Sequence, residues 1–212
     1  LVNGSKLGTA TVIVDLLPKG TCSAWRNNTQ TSITIHNTGL WDVPAKNFNS
    51  SIKNNNKGAR DASWHFSVDD KEIYQHIDTS LETWNTGVGA KGNCTTVSIE
   101  ICMFKDAARQ KKAEDNAIAL VKKLGIKQVR THKSWSGKQC PAVILARPNG
   151  WELFLKRIAA YGKAVHQYHV IKSGDNFWNL ETKYKLAHGR LVALNPSVKP
   201  GSLKVGSKVR IK

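Results

Sequence analysis

An amphipathic segment between two β-rich runs constrains the fold most strongly. Residues 107–124, AARQKKAEDNAIALVKKL, have apolar side chains at helical spacing with charged residues between them, and Gly125 predicts where the helix ends. The preceding run, TTVSIEICMF (95–104), is dense in Val and Ile and predicts a central strand. The following run, KQVRTH (127–132), predicts a short strand.

Earlier segments extend the same pattern of strands and helices. TSITIHNTG (31–39) predicts a strand, and VPAKNFNSSIKNNNKG (43–58) predicts a helix that begins near its proline and ends in the Asn/Lys/Gly run. SWHFSVDDKEIYQHI (63–77) predicts a hairpin that turns at Asp69 and Asp70. Strands interleaved with helices predict an α/β or α+β fold for residues 1 to about 160.

The sequence changes in character after residues 157–167, where a helix ends. We expect a strand over 168–171, a turn at Ser-Gly-Asp, two short amphipathic helices, a Pro/Gly loop and a last strand near 207–211. This is a small β-α-α-β unit. Within it, Asp175 is expected to cap the first helix and Trp178 to lie in the core.

Composition excludes several protein classes. Hydrophobic residues make up 40% of the chain, which is typical of a folded protein. There is no apolar run of the ~18 residues that a membrane span needs. TATVIVDLLPKG (9–20) lacks the basic start and small-residue end of a secretory signal, so we see no signal peptide.

The net charge of +17 favours a polyanionic partner, although solubility alone is an alternative explanation. Nine basic and two acidic residues from His166 onward give +7, and the preceding residues carry the remaining +10. A nucleic acid, an anionic membrane or an anionic cell wall would each fit this charge. The chain has no aromatic-basic interleaving or known docking motif, so we expect no specific nucleic-acid binding.

The four cysteines are too sparse to indicate a disulfide framework, although two structural bridges remain an alternative. A cysteine that binds a metal must be a free thiolate. A hydrolytic zinc site needs three protein ligands and one open position. His36 and His132 each lie at a predicted strand end, and Cys140 follows on a loop. Surface histidines and a core thiol are the alternative interpretation.

Two charged residues strengthen the catalytic hypothesis. Glu100 lies within the apolar run VSIEIC, where an ionised carboxylate is costly unless it is paired or has a function. It could act as general base, or it could face water from a half-exposed strand. Lys138, two residues before Cys140, could stabilise an oxyanion, or it could be one more surface lysine.

These motifs together resemble those of a known enzyme family. ITIHNTG, ASWHFSVDDKEIYQHI, TWNTGVGAKGNCTTVSIEIC and HKSWSGKQCP occur in the order and spacing of the zinc-dependent N-acetylmuramoyl-L-alanine amidases, a T7-lysozyme-like family related to peptidoglycan recognition proteins. The resemblance covers roughly residues 10–155. It implies a mixed central β-sheet flanked by helices.

The resemblance also implies an activity and a set of site residues. The reaction would be hydrolysis of the amide between N-acetylmuramic acid and L-Ala of the stem peptide, by a water activated by one Zn²⁺ per chain. Glu100 would transfer the proton and Lys138 would hold the oxyanion. The ligands to the zinc would be His36, His132 and Cys140.

The expected groove differs from the family pattern at some positions. Trp64 and Trp84 are candidates for the groove wall, although core packing is equally compatible with either. Asn85 stands where many relatives have a histidine near the substrate, and we include it among the substrate-binding residues. Cys94 replaces a basic residue that relatives often have. His65 and His76 occupy family-like positions, for which we favour a supporting role.

The C-terminal segment, YHVIKSGDNFWNLETKY…LVALNP…LKVGSKVRI, resembles a LysM domain over its whole length. The resemblance implies binding of N-acetylglucosamine glycans such as those of peptidoglycan. The implied sugar-binding residues are Gly174, Asp175, Asn176, Phe177, Asn195 and Pro196. The predicted domains are therefore a catalytic domain (1–158), a linker (159–167) and a wall-binding LysM domain (168–212).

The sequence thus predicts a wall-degrading enzyme, either a phage endolysin or a bacterial autolysin. We expect synthesis in the cytoplasm of a bacterial or phage-infected cell and action at the wall, where anionic polymers would attract its charge. A non-catalytic peptidoglycan-binding protein is the main alternative. Relatives with only a recognition role lose the ligand cysteine, whereas this chain has Cys140.

Overall fold

The computed structural model describes residues 1–17, 26–54, 62–162 and 167–212. The chain divides into two compact units, Leu1–Tyr161 and Gly162–Lys212. Within the described ranges, no helix is long and apolar enough to cross a membrane. Cys94, Cys102 and Cys140 are free thiols, which excludes the alternative of two disulfide bridges. Cys22 lies outside the described residues.

The described part of the first unit is built around a seven-stranded mixed sheet with the order β1-β2-β5-β4-β6-β3-β7. Strands β4, β6, β3 and β7 run parallel, and β5 and β2 run in the opposite direction. The elements are β1 (Lys6–Leu7), β2 (Ala10–Val14), β3 (Ser32–Trp41), α1 (Ala45–Asn54), β4 (Phe66–Val68), β5 (Glu72–Gln75), α2 (Ala90–Asn93), β6 (Thr96–Met103), α3 (Ala107–Leu124), β7 (Gln128–Thr131), α4 (Lys133–Ser136), α5 (Ala142–Leu145) and α6 (Gly150–Ala160).

The strands and helices predicted in this unit are confirmed. The end of the predicted helix over 43–58 falls partly on residues outside the described ranges. Helix α3 begins at the Asp106 cap, whose carboxylate accepts a hydrogen bond from the Arg109 amide, and it ends at Gly125, whose φ is 71°. In the hairpin, Asp69 Oδ1 accepts hydrogen bonds from the Lys71 and Glu72 amides and so fixes the turn.

The two central strands alternate apolar and polar residues although both are buried. Ile33, Ile35 and Ile99 belong to the hydrophobic core that includes α3 residues. Alternation places Thr34 and Ser98 on the opposite face, where they are also fully buried. This second face is therefore a buried polar layer, and it is the face from which site residues can project.

The second unit forms the predicted β-α-α-β arrangement. Its elements are β8 (Tyr168–Val170), α7 (Phe177–Lys183), α8 (Arg190–Leu194) and β9 (Lys208–Arg210), and β8 pairs with β9 antiparallel. A small core packs between them, formed by Ile171, Phe177, Leu180, Leu191, Val209 and Ile211.

Two residue-level predictions in this unit are wrong. The cap of α7 is Asn176, which accepts from the Asn179 amide, because the Asp175 carboxylate instead bonds the Lys172 amide and His169. Trp178 is 63% exposed and is not in the core. Because the cap is Asn176 and not Asp175, α7 starts one residue later than predicted. Phe177, and not Trp178, therefore takes the core position.

Two histidines lie in the buried polar layer and are held by neutral partners. His65 contacts Ser98 Oγ (3.0 Å) and the Leu81 carbonyl (2.9 Å). His76 contacts Asn49 Oδ1 (2.8 Å) and Ser67 Oγ (2.9 Å). Burial lowers the pKa of His65 to about 4 and that of His76 to about 3. Both rings are neutral in the folded state at neutral pH.

We therefore expect the first unit to lose stability as the pH falls from 6.5 towards 4. In that window the unfolded chain binds protons that the folded chain excludes, which costs about 1.4 kcal/mol per pH unit for each histidine. Urea denaturation at pH 7, 6 and 5 measures the slope. His76→Gln should make it shallower, whereas His188→Gln, which replaces an exposed ring, should not; an equal slope in all three proteins would contradict the assignment.

Candidate active site

Three ligand atoms converge at one point of the first unit. His36 and His132 face each other with their Nδ1 atoms 3.1 Å apart, and Cys140 Sγ lies 3.9 Å from His36 Nδ1. All three atoms lie within 4.8 Å of one another, and all three residues are buried. In the described part of the chain, this is the one group of three or more such residues that could hold a metal ion.

Strand pairing explains this convergence of residues distant in sequence. Ile35 of β3 pairs with Thr131 of β7, so the next residues, His36 and His132, are neighbours across the same sheet edge. Helix α4 then ends at Gly137, whose φ of 79° turns the chain back. Cys140 returns to the site, and its carbonyl accepts a hydrogen bond from the Lys133 amide (2.9 Å).

The electrostatics of the three groups suit a metal ion. Burial lowers the pKa of His36 well below its usual range, and burial also lowers the pKa of His132, so both imidazoles are neutral and could bind a metal ion. The backbone of Thr86 opposes this shift and raises the pKa of His132 in part. Burial raises the pKa of the Cys140 thiol to about 11, so metal binding must displace a proton.

Glu100 lies beside this cluster because β6 pairs with β3 in register. His36 and Glu100 are paired residues, so both side chains project from the same face. Glu100 Oε1 is 3.8 Å from His36 Nδ1, and Oε2 has no hydrogen-bond partner among the described residues. Its side chain is 13% exposed, and burial raises the pKa of Glu100 to about 8. The half-exposed alternative is therefore not realised.

Two cavities flank the cluster, and Lys138 lines both of them. The first, of about 620 Å³, is also lined by Glu100, Cys140 and Trp64. The second, of about 670 Å³, is also lined by His132. Lys138 thus lies where both cavities approach the cluster of His36, His132 and Cys140.

Trp64 packs against the core and also lines the first cavity. Its orientation is fixed by a chain of hydrogen bonds. Trp64 Nε1 donates to Ser67 Oγ (2.8 Å), Ser67 donates to His76 Nε2, and His76 Nδ1 donates to Asn49 Oδ1. The two interpretations of Trp64, groove wall and core, are therefore compatible.

Trp84 and Asn85 line the second cavity. The Trp84 amide donates to Ser63 Oγ, which anchors this segment. Neither polar atom of the Asn85 side chain has a hydrogen-bond partner within the described ranges, although both atoms are inaccessible to water. A buried amide without hydrogen-bond partners is energetically costly.

The residues implied for sugar binding lie in two loops of the second unit. Gly174 and Asn176 are exposed, whereas Phe177 lies in the core. Asn195 is buried, and its amide bonds the Leu191 and Arg210 carbonyls and the Arg210 amide, so it joins the end of α8 to β9. Pro196 follows it on the loop.

The sequence interpretation missed two residues of the site. Arg26 lines the cavity that contains His132, although it lies outside every motif. Asn37 donates its amide to Cys140 Sγ (3.4 Å) and accepts from the Val143 amide (3.0 Å). The position of Asn37 next to His36 in the run IHN could have indicated that it supports the site. No sequence signal indicates Arg26.

The comparisons with known proteins agree with this geometry. Residues 26–143 match the sequence profile of the N-acetylmuramoyl-L-alanine amidase family, and residues 169–212 match that of the LysM domain. Among similar proteins of Bacillus subtilis (strain 168), the N-acetylmuramoyl-L-alanine amidase CwlA is 35% identical over 79% of this chain and 65% of its own length. The amidase XlyA is 33% identical over 92% of this chain and 66% of its own length.

The chain therefore spans just under two thirds of these relatives. Among solved structures, the catalytic domain of XlyA is similar with a TM-score of 0.63 at 34% identity, covering 70% of this chain and 99% of that domain. The mixed sheet flanked by helices is thus shared with that domain. The chain belongs to the N-acetylmuramoyl-L-alanine amidase family and carries a LysM domain in its C-terminal unit.

Proposed function

We propose that this chain is a zinc-dependent peptidoglycan amidase with a catalytic domain over 1–158, a linker over 159–167 and a wall-binding domain over 168–212. The reaction would be hydrolysis of the amide between N-acetylmuramic acid and L-Ala of the stem peptide. The observation that carries the proposal is the convergence of His36, His132 and Cys140 beside Glu100 in a groove. Family membership and the amidase names of CwlA and XlyA support it.

The donor set fits one Zn²⁺ ion per chain. Two neutral imidazoles and one thiolate are common zinc ligands, and three protein ligands leave a position open for substrate or water. When bound, zinc would supply Lewis acidity, which lowers the pKa of water and polarises a carbonyl.

Glu100 is the proposed proton carrier. Its carboxylate faces the same space as the ligand atoms, and its free Oε2 can accept a proton from the attacking water. The same proton can then pass to the nitrogen of the leaving L-Ala. Burial raises the pKa of Glu100 to about 8, and a bound Zn²⁺ beside it would lower that pKa, so that the carboxylate would be ionised before the water attacks.

Lys138 and the groove residues would act on the substrate itself. The Lys138 ammonium, at the junction of the two cavities, would stabilise the negative charge that develops on the carbonyl oxygen. Trp64 and Trp84 would contact sugar or peptide along the groove, one in each cavity. The unpaired amide of Asn85 would bind a peptide group of the substrate.

The C-terminal unit would bind N-acetylglucosamine glycan between its two loops. Gly174, Asp175 and Asn176 would contribute from the first loop, where Phe177 anchors the loop in the core. Asn195 would hold the second loop, which includes Pro196, in place. The charge of +7 from His166 onward would add attraction to anionic wall polymers, and tethering would raise the local concentration of substrate.

Replacement of Cys140 by serine tests the metal site. We expect wild-type protein to contain about one zinc per chain, and Cys140→Ser to lose the zinc and the release of new L-Ala amino termini from purified walls. Cys94→Ser is the matched control, because Cys94 is a free thiol outside the cluster. New reducing ends without new amino termini would show a glycosidase instead. Wall binding without zinc or cleavage would show a recognition protein.

Replacement of Glu100 by glutamine tests the proton carrier. The variant keeps the shape of the side chain but cannot accept the proton, so we expect kcat to fall about 10²- to 10⁴-fold with zinc retained. The control is Glu152→Gln on the exposed surface of α6. If Glu100→Gln stays within tenfold of wild type, another group transfers the proton.

Removal of the C-terminal unit tests the division of labour. A chain that ends at Tyr161 should cleave a soluble muramyl peptide at the wild-type rate but sediment poorly with purified walls. For the full chain, N-acetylglucosamine oligomers should compete with wall binding even at high salt. Salt screens the attraction between exposed charges, whereas it weakens uncharged contacts to a glycan much less. If salt abolishes binding and the oligomers have no effect, the unit acts through charge alone.

A further inference from the structure

We infer that Arg26 recognises a carboxylate of the stem peptide and sets a preference for acidic over amidated stems, an inference that rests on the proposed amidase function. Arg26 lines the cavity of about 670 Å³ that also contains His132 and Lys138. No acidic residue lines this cavity in the described part of the chain. Two cationic side chains therefore line this cavity without an acidic one beside them among the described residues, and His132 connects it to the proposed metal site.

The Arg26 guanidinium is held in place from behind by a buried acid. Its Nε and Nη2 donate to Oε1 (2.8 Å) and Oε2 (2.7 Å) of Glu82, whose side chain is fully buried. The Arg26 side chain itself is 51% exposed. The backbone adds two more bonds, since the Arg26 amide donates to Glu82 Oε1 and the Glu82 amide donates to the Arg26 carbonyl.

This arrangement fixes one edge of a planar cation and leaves the other edge for a ligand. Glu82 occupies Nε and one position of Nη2, and no acceptor for Nη1 is present among the described residues. A guanidinium held in this way loses little further freedom when it binds, and its free N–H groups match the two oxygens of a carboxylate. An amide in the same place would offer one acceptor and no charge.

The stem peptide supplies such a group close to the scissile bond. The residue after L-Ala is D-glutamate linked through its γ-carboxyl, so its α-carboxyl is either free and anionic or amidated and neutral. Lys138, at the junction with the metal ligands, is positioned for the reacting carbonyl. Among the described residues, Arg26 is the other cation that lines the cavity, and it would bind the α-carboxylate.

The test compares two soluble substrates that differ in this group alone. N-acetylmuramyl-L-alanyl-D-isoglutamate and its D-isoglutamine counterpart are cleaved by the full zinc-loaded chain, and kcat and KM are measured from released L-Ala amino termini. We expect kcat/KM to favour the acidic substrate about tenfold, mainly through KM, at low salt. Arg26→Gln should bring the ratio close to one with little change for the amidated substrate.

Two variants separate recognition from a structural role. The double variant Arg26→Gln/Glu82→Gln removes the buried charge that Arg26→Gln would leave unpaired, and it should show the same loss of preference. Arg109→Gln is the matched control, because Arg109 forms a similar two-point pair with the mostly buried Asp70 and does not line the groove. That variant should keep the wild-type ratio.

The possible failures are distinguishable. Equal kcat/KM for the two substrates in wild type, with both cleaved, overturns this inference and leaves the amidase function intact. An unchanged preference in both Arg26 variants, or an equal loss for the two substrates, gives Arg26 a purely structural role and overturns it as well. Cleavage of neither substrate overturns the amidase function and this inference together.

Discussion

The structure of the site depends on the parallel pairing of β3 with β6 on one side and β7 on the other. In that register His36 pairs with Glu100. The neighbouring pair, Ile35 and Thr131, brings His132 next to His36 on the other side. A shift of one residue in either pairing would turn the affected side chains to the opposite face. The apolar residues of the same strands, packed in the core with α3, hold this register because a slip would expose them.

A consequence of this register is a buried polar layer in which most polar groups are hydrogen-bonded to neutral partners. His65 and His76 stay neutral and bond hydroxyl, amide or carbonyl groups, whereas His36 Nε2 and Glu100 Oε2 have no hydrogen-bond partner among the described residues. In the described part of the chain, the buried side-chain atoms without a partner therefore concentrate at this cluster and at Asn85 in the second cavity, and Arg130 Nε is the exception. That concentration is expected where a metal ion and a substrate complete the structure, because buried polar groups are otherwise paired.

Arg26 and Glu82 show how the fold can fix the position of one positive charge in a chain that has many. The chain has 32 basic side chains, which together produce a positive field. Arg26 combines a fully buried carboxylate partner with a position on the cavity that His132 also lines. The same side chain on an open surface would lose orientation and be screened by salt.

The sequence by itself determined the longer strands and helices, the α/β class and the two-unit order, since periodicity and turn residues are local signals. It did not predict β1, β2 or the short helices α2, α4 and α5. It also indicated His36, His132, Cys140, Glu100 and Lys138, because their motifs resemble those of a family. It did not determine the cap of α7 or the exposure of Trp178, where a shift of one residue decides which side chain enters the core. Only the tertiary structure placed Arg26 and Asn37 at the site, because contacts between distant residues arise from strand register and loop closure, which leave no local pattern.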